Sequence, residues 1–218
     1  TLGLFSRVMS VLAFLAAVAY VHRVAPGAFF GLDKINCMLA LYLMLGPSGA
    51  CFSLDRYLRR RRSSQPLAPP EASVAATVAV RMIQLHMCII YLFGALGKFQ
   101  GVHWWDGQAM WMSVANLEYQ SLDLTWLAHY PRLTILVTHV TVFWELFYCT
   151  LIWPRLTRPL MLALAVIVHG GIALALGMIT FGLAMLIGNL AFVPPEFLRR
   201  IVDLIATRKA ATQEPARA

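Results

Sequence analysis

Six stretches of this chain, residues 4–22, 36–53, 72–97, 132–153, 159–177 and a shorter one at 179–193, are apolar over lengths that match or approach the span of bilayer hydrocarbon, about 30 Å. A backbone crossing hydrocarbon must satisfy its own N–H and C=O groups, which only helices and closed barrels do. These runs are continuous and do not alternate, so they read as helices. The expected fold class is therefore all-α: a polytopic membrane helical bundle of five to six transmembrane helices. With 60% hydrophobic and 13% charged residues, the chain has too little polar surface to coat a soluble globule.

Charge then orders the spans. The net charge of +8 would point to nucleic acid in a soluble domain, but here the arginines sit in short loops beside apolar runs, where they set orientation and meet anionic lipid; no nucleic-acid partner is expected. Arg56, Arg59, Arg60, Arg61 and Arg62 lead into a Ser/Pro-rich loop, and this block marks the 53–71 loop as cytoplasmic. By alternation Arg155, Arg158 and the C-terminal basic residues fall on the same side. The expected setting is a bacterial inner membrane, with Lys98 near the outer face. The long outer connection 98–131 carries Trp104, Trp105, Trp111, Tyr119, Trp126 and Tyr130, and segments 104–116 and 120–130 read as short interfacial helices. Residues 1–195 form one expected membrane domain, and 196–218 an amphipathic interfacial helix, centred on 196–209, with a polar tail.

Cys37, Cys51, Cys88 and Cys149 lie singly in apolar stretches without CxxC spacing, so neither a disulfide framework nor a zinc site is implied. No HxxH, ExxH or HExxH spacing occurs, and no metal is expected. There is no GxSxG elbow, P-loop or dinucleotide fingerprint. Gly94, Gly97, Gly170, Gly171, Gly182 and Gly188 read as small residues that let helices approach closely.

Polar side chains inside the spans are costly and should face inward. Counted from the inner ends of their helices, Arg81 and Glu145 lie at similar depth, which predicts a structural ion pair; His86 and His139 share a level nearer the outer leaflet, with His169 between. A polar column is expected to run toward Lys98. Lys98 itself has two readings. A lysine at a helix end commonly snorkels to the interface, whereas one held against hydrocarbon loses its charge more readily than in water and becomes a usable base.

The string LGPSGACFSLDRYLRRRR at 45–62, the Tyr91 to Gly107 segment with Lys98 and Trp104, and His169 followed by GMITFGLAML and Phe192-Val193-Pro194 resemble the HTTM (horizontally transferred transmembrane) family, a domain shared with vitamin K-dependent gamma-carboxylase. The resemblance is to a bacterial stand-alone member. The resemblance implies that Lys98 is the catalytic base toward a quinone or vitamin K-like molecule. His139, His169 and Trp104 would line the approach. It departs at Asn36-Cys37, where the carboxylase has an asparagine-histidine pair, and the carboxylase's large lumenal domain has no counterpart, so protein glutamate carboxylation is not implied. The start at Thr1 reads as late relative to such members, as though N-terminal helices preceded it. Two functions are therefore carried forward: a quinone-binding, carboxylase-like membrane protein working through Lys98, and a non-catalytic accessory subunit of a larger membrane complex.

Overall fold

The computed structural model describes residues 3–24, 31–51, 53–63, 71, 73–197, 199–200 and 204. The described residues are helical throughout, without a strand. Helices α1 (Ser6–Val24) and α2 (Gly31–Leu45) pack as a pair, followed by the basic helix α3 (Leu54–Arg62) and the long α4 (Val74–Lys98). Short helices α5 (Val102–Trp105) and α6 (Ala109–Ala115) and a 3-10 turn at Thr125–His129 lead into α7 (Pro131–Leu151). The last pair is α8 (Arg158–Ala175) and α9 (Ile179–Asn189), the latter ending in a 3-10 turn at Leu190–Phe192.

Local chemistry sets these boundaries. Ser53 and Ser73 cap α3 and α4, their hydroxyls accepting from Arg56 N–H at 3.1 Å and Ala76 N–H at 3.3 Å. Proline opens α7 and α8, where its missing N–H costs nothing. The four arginines ending α3 lie at its negative pole. The expected run 36–53 stops at Leu45, because Gly46-Pro47-Ser48-Gly49 turns the chain. Gly49 has φ +91° and its α-carbon abuts Ser6, a site only glycine fills without strain.

Three of the described helices, α4, α7 and α8, are long and apolar enough to cross a membrane, and Ile179–Phe192 is a shorter apolar helix. Of the five to six spans expected from sequence, three are thus met by length and composition among the described residues. In α1, Arg7, His22 and Arg23 lower the hydropathy near both ends, and α2 has only 15 residues with Asp33 and Lys34 in its first turns. The expected C-terminal amphipathic helix lies mostly outside the described residues.

Helix α4 is the centre, packed along α7 and also against α2 and α9. One face of α4, with Gln84, Met87, Cys88, Tyr91 and Ala95, is buried, while Leu85, Ile89 and Phe93 on the other are exposed. Val166, Ile167 and Leu174 do the same on α8. Apolar residues on the outside as well as in the core are what a helix facing lipid requires. Ile35, Leu39, Met87, Tyr91, Trp144, Tyr148, Met161, Met185 and Phe192 belong to the shared core. Two glycines permit the closest approaches: a Cβ on Gly182 would lie 2.7 Å from the His169 carbonyl, and one on Gly188 would meet the Met87 sulfur at 2.5 Å. Gly97, Gly170 and Gly171 have open space instead, so the packing role expected of them is not theirs.

The N-terminus of α1 is tied to α3. Asp55 accepts from Phe5 N–H at 2.8 Å, Ser6 N–H at 2.7 Å and the Ser6 hydroxyl at 2.8 Å. The Ser6 hydrogen bonds, with those from Phe5 and the charge of Arg59, hold this carboxyl below the ordinary aspartate range.

Candidate functional site

Helix α7 is displaced along α4 relative to the expected register. Its N-terminal half runs past the end of α4 and packs against the 102–129 segment. The Thr138 hydroxyl donates to Gly107 O at 2.9 Å and accepts from Met110 N–H at 3.1 Å, while His139 Nε2 lies 3.2 Å from Trp105 O. That shift carries Glu145 up to the end of α4. Lys98 Nζ meets Glu145 Oε2 at 2.6 Å. The predicted Arg81–Glu145 pair is therefore corrected: Arg81 donates to Gln84 Oε1 at 2.9 Å and lies over the Trp153 ring at 5.8 Å. Equal counts from two helix ends are equal depths only when the ends are level, and these are not.

The pair is built from three elements. Tyr91 and Lys98 stand two turns apart on one face of α4; Trp144, Glu145 and Tyr148 share a face of α7; and α5 brings the Trp104 ring to 5.2 Å from the lysine nitrogen. Gly94 adjoins the contact, and a Cβ there would lie at ordinary van der Waals distance, 3.5 Å from Glu145 Oε2 and 3.7 Å from Lys98 Nζ. The Glu145 side chain is 10% exposed and that of Lys98 25%. Glu145 lies about four turns, roughly 21 Å, along α7 from Pro131. Lys98 is thus not a free amine at the aromatic rim. It is held by a carboxylate beneath the Trp126–Tyr130 end of the bundle.

Beside the pair runs a buried hydrogen-bonded chain. Tyr148 O–H donates to Asn189 Oδ1 at 2.6 Å, and Asn189 Nδ2 donates to Tyr91 Oη at 2.8 Å and to Met185 O at 2.9 Å. Tyr91 Oη lies 2.8 Å from His169 Nε2. The Met185 carbonyl can only accept, which fixes the Asn189 amide orientation and the direction of the chain. Tyr91 accepts from Asn189, which leaves its own O–H free to donate to His169 Nε2; in that arrangement a neutral His169 carries its proton on Nδ1. His169 is 3% exposed, and its Nδ1 has no hydrogen-bond partner among the described residues. Trp144, next to Glu145 on α7, packs its ring on Tyr91 and His169 with centroids 5.0 and 6.0 Å apart, so the pair and the chain adjoin.

Of the residues expected at the site, Lys98 and Trp104 come together, and His169 adjoins them through Tyr91 and Trp144. His139 does not join them: it braces the 102–129 segment against α7. His86 turns to Tyr42 of α2, with Nδ1 at 3.2 Å from the hydroxyl, so the expected polar column toward Lys98 does not form as drawn. Sequence reasoning missed Tyr91 and Tyr148 and gave Glu145 the wrong partner. The spacing of Gln84, Tyr91 and Lys98, each seven apart, was the available signal for one polar face. Among the described residues no three His, Cys, Asp or Glu side chains are placed to hold a metal ion.

These features define a class: an all-helical integral membrane protein with a paired lysine and glutamate inside its bundle. The chain belongs to the HTTM-domain family, whose model matches residues 1–197. No curated protein and no solved structure matches it.

Proposed function

We propose that this HTTM protein binds a quinone-like lipid beside the Lys98–Glu145 pair and that Lys98 handles a proton of that molecule. The observation that carries the reading is the 2.6 Å ion pair set against a buried histidine nitrogen, His169 Nδ1, that has no hydrogen-bond partner among the described residues. A buried donor left unpaired costs about 1–3 kcal/mol, and an oxygen atom of a bound molecule is one means of satisfying it. The residues present fit an aromatic diol or dione: His169 Nδ1–H as donor to an oxygen, Lys98 as the charged or proton-accepting group, and Trp104 as an aromatic surface. His139 is left with a bracing role.

Bound there, a quinol would supply an acidic hydroxyl. Glu145 determines when Lys98 can take that proton. In a water-poor site the ammonium can pass a proton from Nζ to Oε2, which leaves an amine and a carboxylic acid and removes both charges from low dielectric. The amine then accepts a proton at Nζ, and the resulting ammonium faces the negative charge left behind. Tyr91, Asn189 and Tyr148 fix the histidine tautomer, so the donor is in place before binding. In this reading the arginine-rich end of the bundle faces the cytoplasm, in keeping with the positive-inside rule.

The test is mass spectrometry of organic extracts from the purified protein, followed by titration with a soluble naphthoquinol monitored by tryptophan quenching. Wild type should carry or bind a quinone, and Lys98→Ala and His169→Phe should weaken binding while the helical circular dichroism stays unchanged. Stoichiometric recovery with a larger complex, no quinone, and an indifferent Lys98→Ala would favour the accessory-subunit function instead.

A further inference from the structure

A second feature lies at the opposite end of α4. A cavity of about 550 Å³ opens where α1 begins, α2 ends and α4 starts, and its walls include Arg7, Arg56, Arg59, Ser48 and Asp55. Among the described residues three arginines and one carboxylate line the cavity, and that carboxylate is already committed, because Asp55 accepts from the Phe5 and Ser6 N–H groups and the Ser6 hydroxyl. The lining is therefore positive. The guanidiniums are anchored: Arg7 Nη1 donates to Gly46 O at 2.9 Å, Arg56 Nη1 to Ala50 O at 3.3 Å and Arg59 Nε to Asp55 O at 3.3 Å. Each guanidinium has five N–H donors, so a single backbone bond positions Arg7 or Arg59 without exhausting it. The Ser48 hydroxyl is buried in the same wall and has no hydrogen-bond partner among the described residues.

We infer that this cavity is a phosphoryl-anion site, taking a phosphate group presented as a phospholipid headgroup or as free phosphate on Arg7, Arg59 and the Ser48 hydroxyl. Anchored guanidiniums with a hydroxyl in the same wall suit tetrahedral oxyanions, which accept several charge-assisted hydrogen bonds at once. The volume exceeds what inorganic phosphate fills and leaves room for a glycerol linkage. The cavity is also open to the side, because α1 and α4 both pack on α2 and scarcely touch each other. Phe5 just before α1, Val8 on α1 and Val74 and Val78 on α4 are exposed and lie within a few residues of the lining residues Ser6, Arg7, Ser73 and Ala75, where acyl chains would lie.

The experiment has two arms. Delipidated protein in a neutral detergent is exchanged into phosphatidylcholine micelles containing labelled phosphatidate, and the retained label is measured. In parallel, its melting temperature is followed against inorganic phosphate with no phospholipid present. Selective phosphatidate retention that falls about tenfold in Arg59→Gln, and also falls in Ser48→Ala, supports the site with a lipid as its source. A melting-temperature rise with inorganic phosphate in wild type but not in Arg59→Gln, without lipid selectivity, supports the site with a soluble source. Ser48→Ala removes only a hydroxyl, so it tests the site even if an arginine variant folds poorly. The control is the triple variant R60Q/R61Q/R62Q, which keeps the cavity walls. If it loses as much as the cavity variants, or if wild type shows neither effect, the proposal is overturned.

Discussion

Removing one member of the Lys98–Glu145 pair should cost more from the lysine side than from the glutamate side. At an effective dielectric of about 20, opposite charges 2.6 Å apart attract by about 6 kcal/mol, and desolvation of several kcal/mol per ion offsets most of it. What a single substitution exposes is the stranded partner. Lys98→Met leaves Glu145, with a side chain only 10% exposed, while Glu145→Gln leaves Lys98, which is 25% exposed and has the Trp104 ring at 5.2 Å to receive it. The expected losses are about 3 kcal/mol for Lys98→Met and about 1–2 kcal/mol for Glu145→Gln, with the double variant less destabilised than their sum by about 1–2 kcal/mol. Equilibrium unfolding in mixed micelles, followed by tryptophan fluorescence across the four proteins, measures all three quantities. Arg81→Gln combined with Glu145→Gln is the control, and its losses should add within about 0.5 kcal/mol. Additivity for Lys98 and Glu145, or coupling between Arg81 and Glu145, would refute the register on which the site rests.

Three further outcomes follow from particular contacts. Gly182→Ala should lower stability by about 1–3 kcal/mol, because its new methyl meets the His169 carbonyl and Ala173; Gly170→Ala, with open space around it, should be neutral or stabilising by up to about 1 kcal/mol, both read from thermal melts. Tyr148→Phe should cost about 1–3 kcal/mol by leaving Asn189 Oδ1 buried without its donor, with the ¹⁵N signals of labelled histidine reporting whether the His169 tautomer loosens. Asp55→Asn should release the start of α1. Since the folded carboxyl titrates below its unfolded value, about 3.9, the contribution of Asp55 is complete above that pH and disappears as the pH falls through the lower folded value. The wild-type advantage over Asp55→Asn in thermal melts should therefore be constant near neutrality and vanish in strong acid.

Why some of the site was legible and some was not can be argued residue by residue. Lys98 and Trp104 stood out because each is out of place locally, a lone amine ending an apolar helix and an indole just after it. His169 stood out for the same reason, as a polar side chain inside a span. Their partners could not be read this way. Tyr91 and Tyr148 are ordinary residues of apolar helices until a neighbouring helix brings Asn189 between them. Glu145 was visible as a costly charge, but its partner depended on how far α7 slides along α4, and helical periodicity says nothing about sliding.

The sequence by itself determined the all-helical class, the order of the long helices and the membrane setting, because apolar run length and turn residues act over a few residues; it did not show that the expected 53–71 loop begins with helix α3. Only the tertiary structure decided which charges meet. The 102–129 segment packs against the N-terminal half of α7, which leaves Glu145 opposite Lys98 and Arg81 beside Trp153. Such pairings depend on axial offsets between helices, and those offsets are fixed by the packing of the whole bundle.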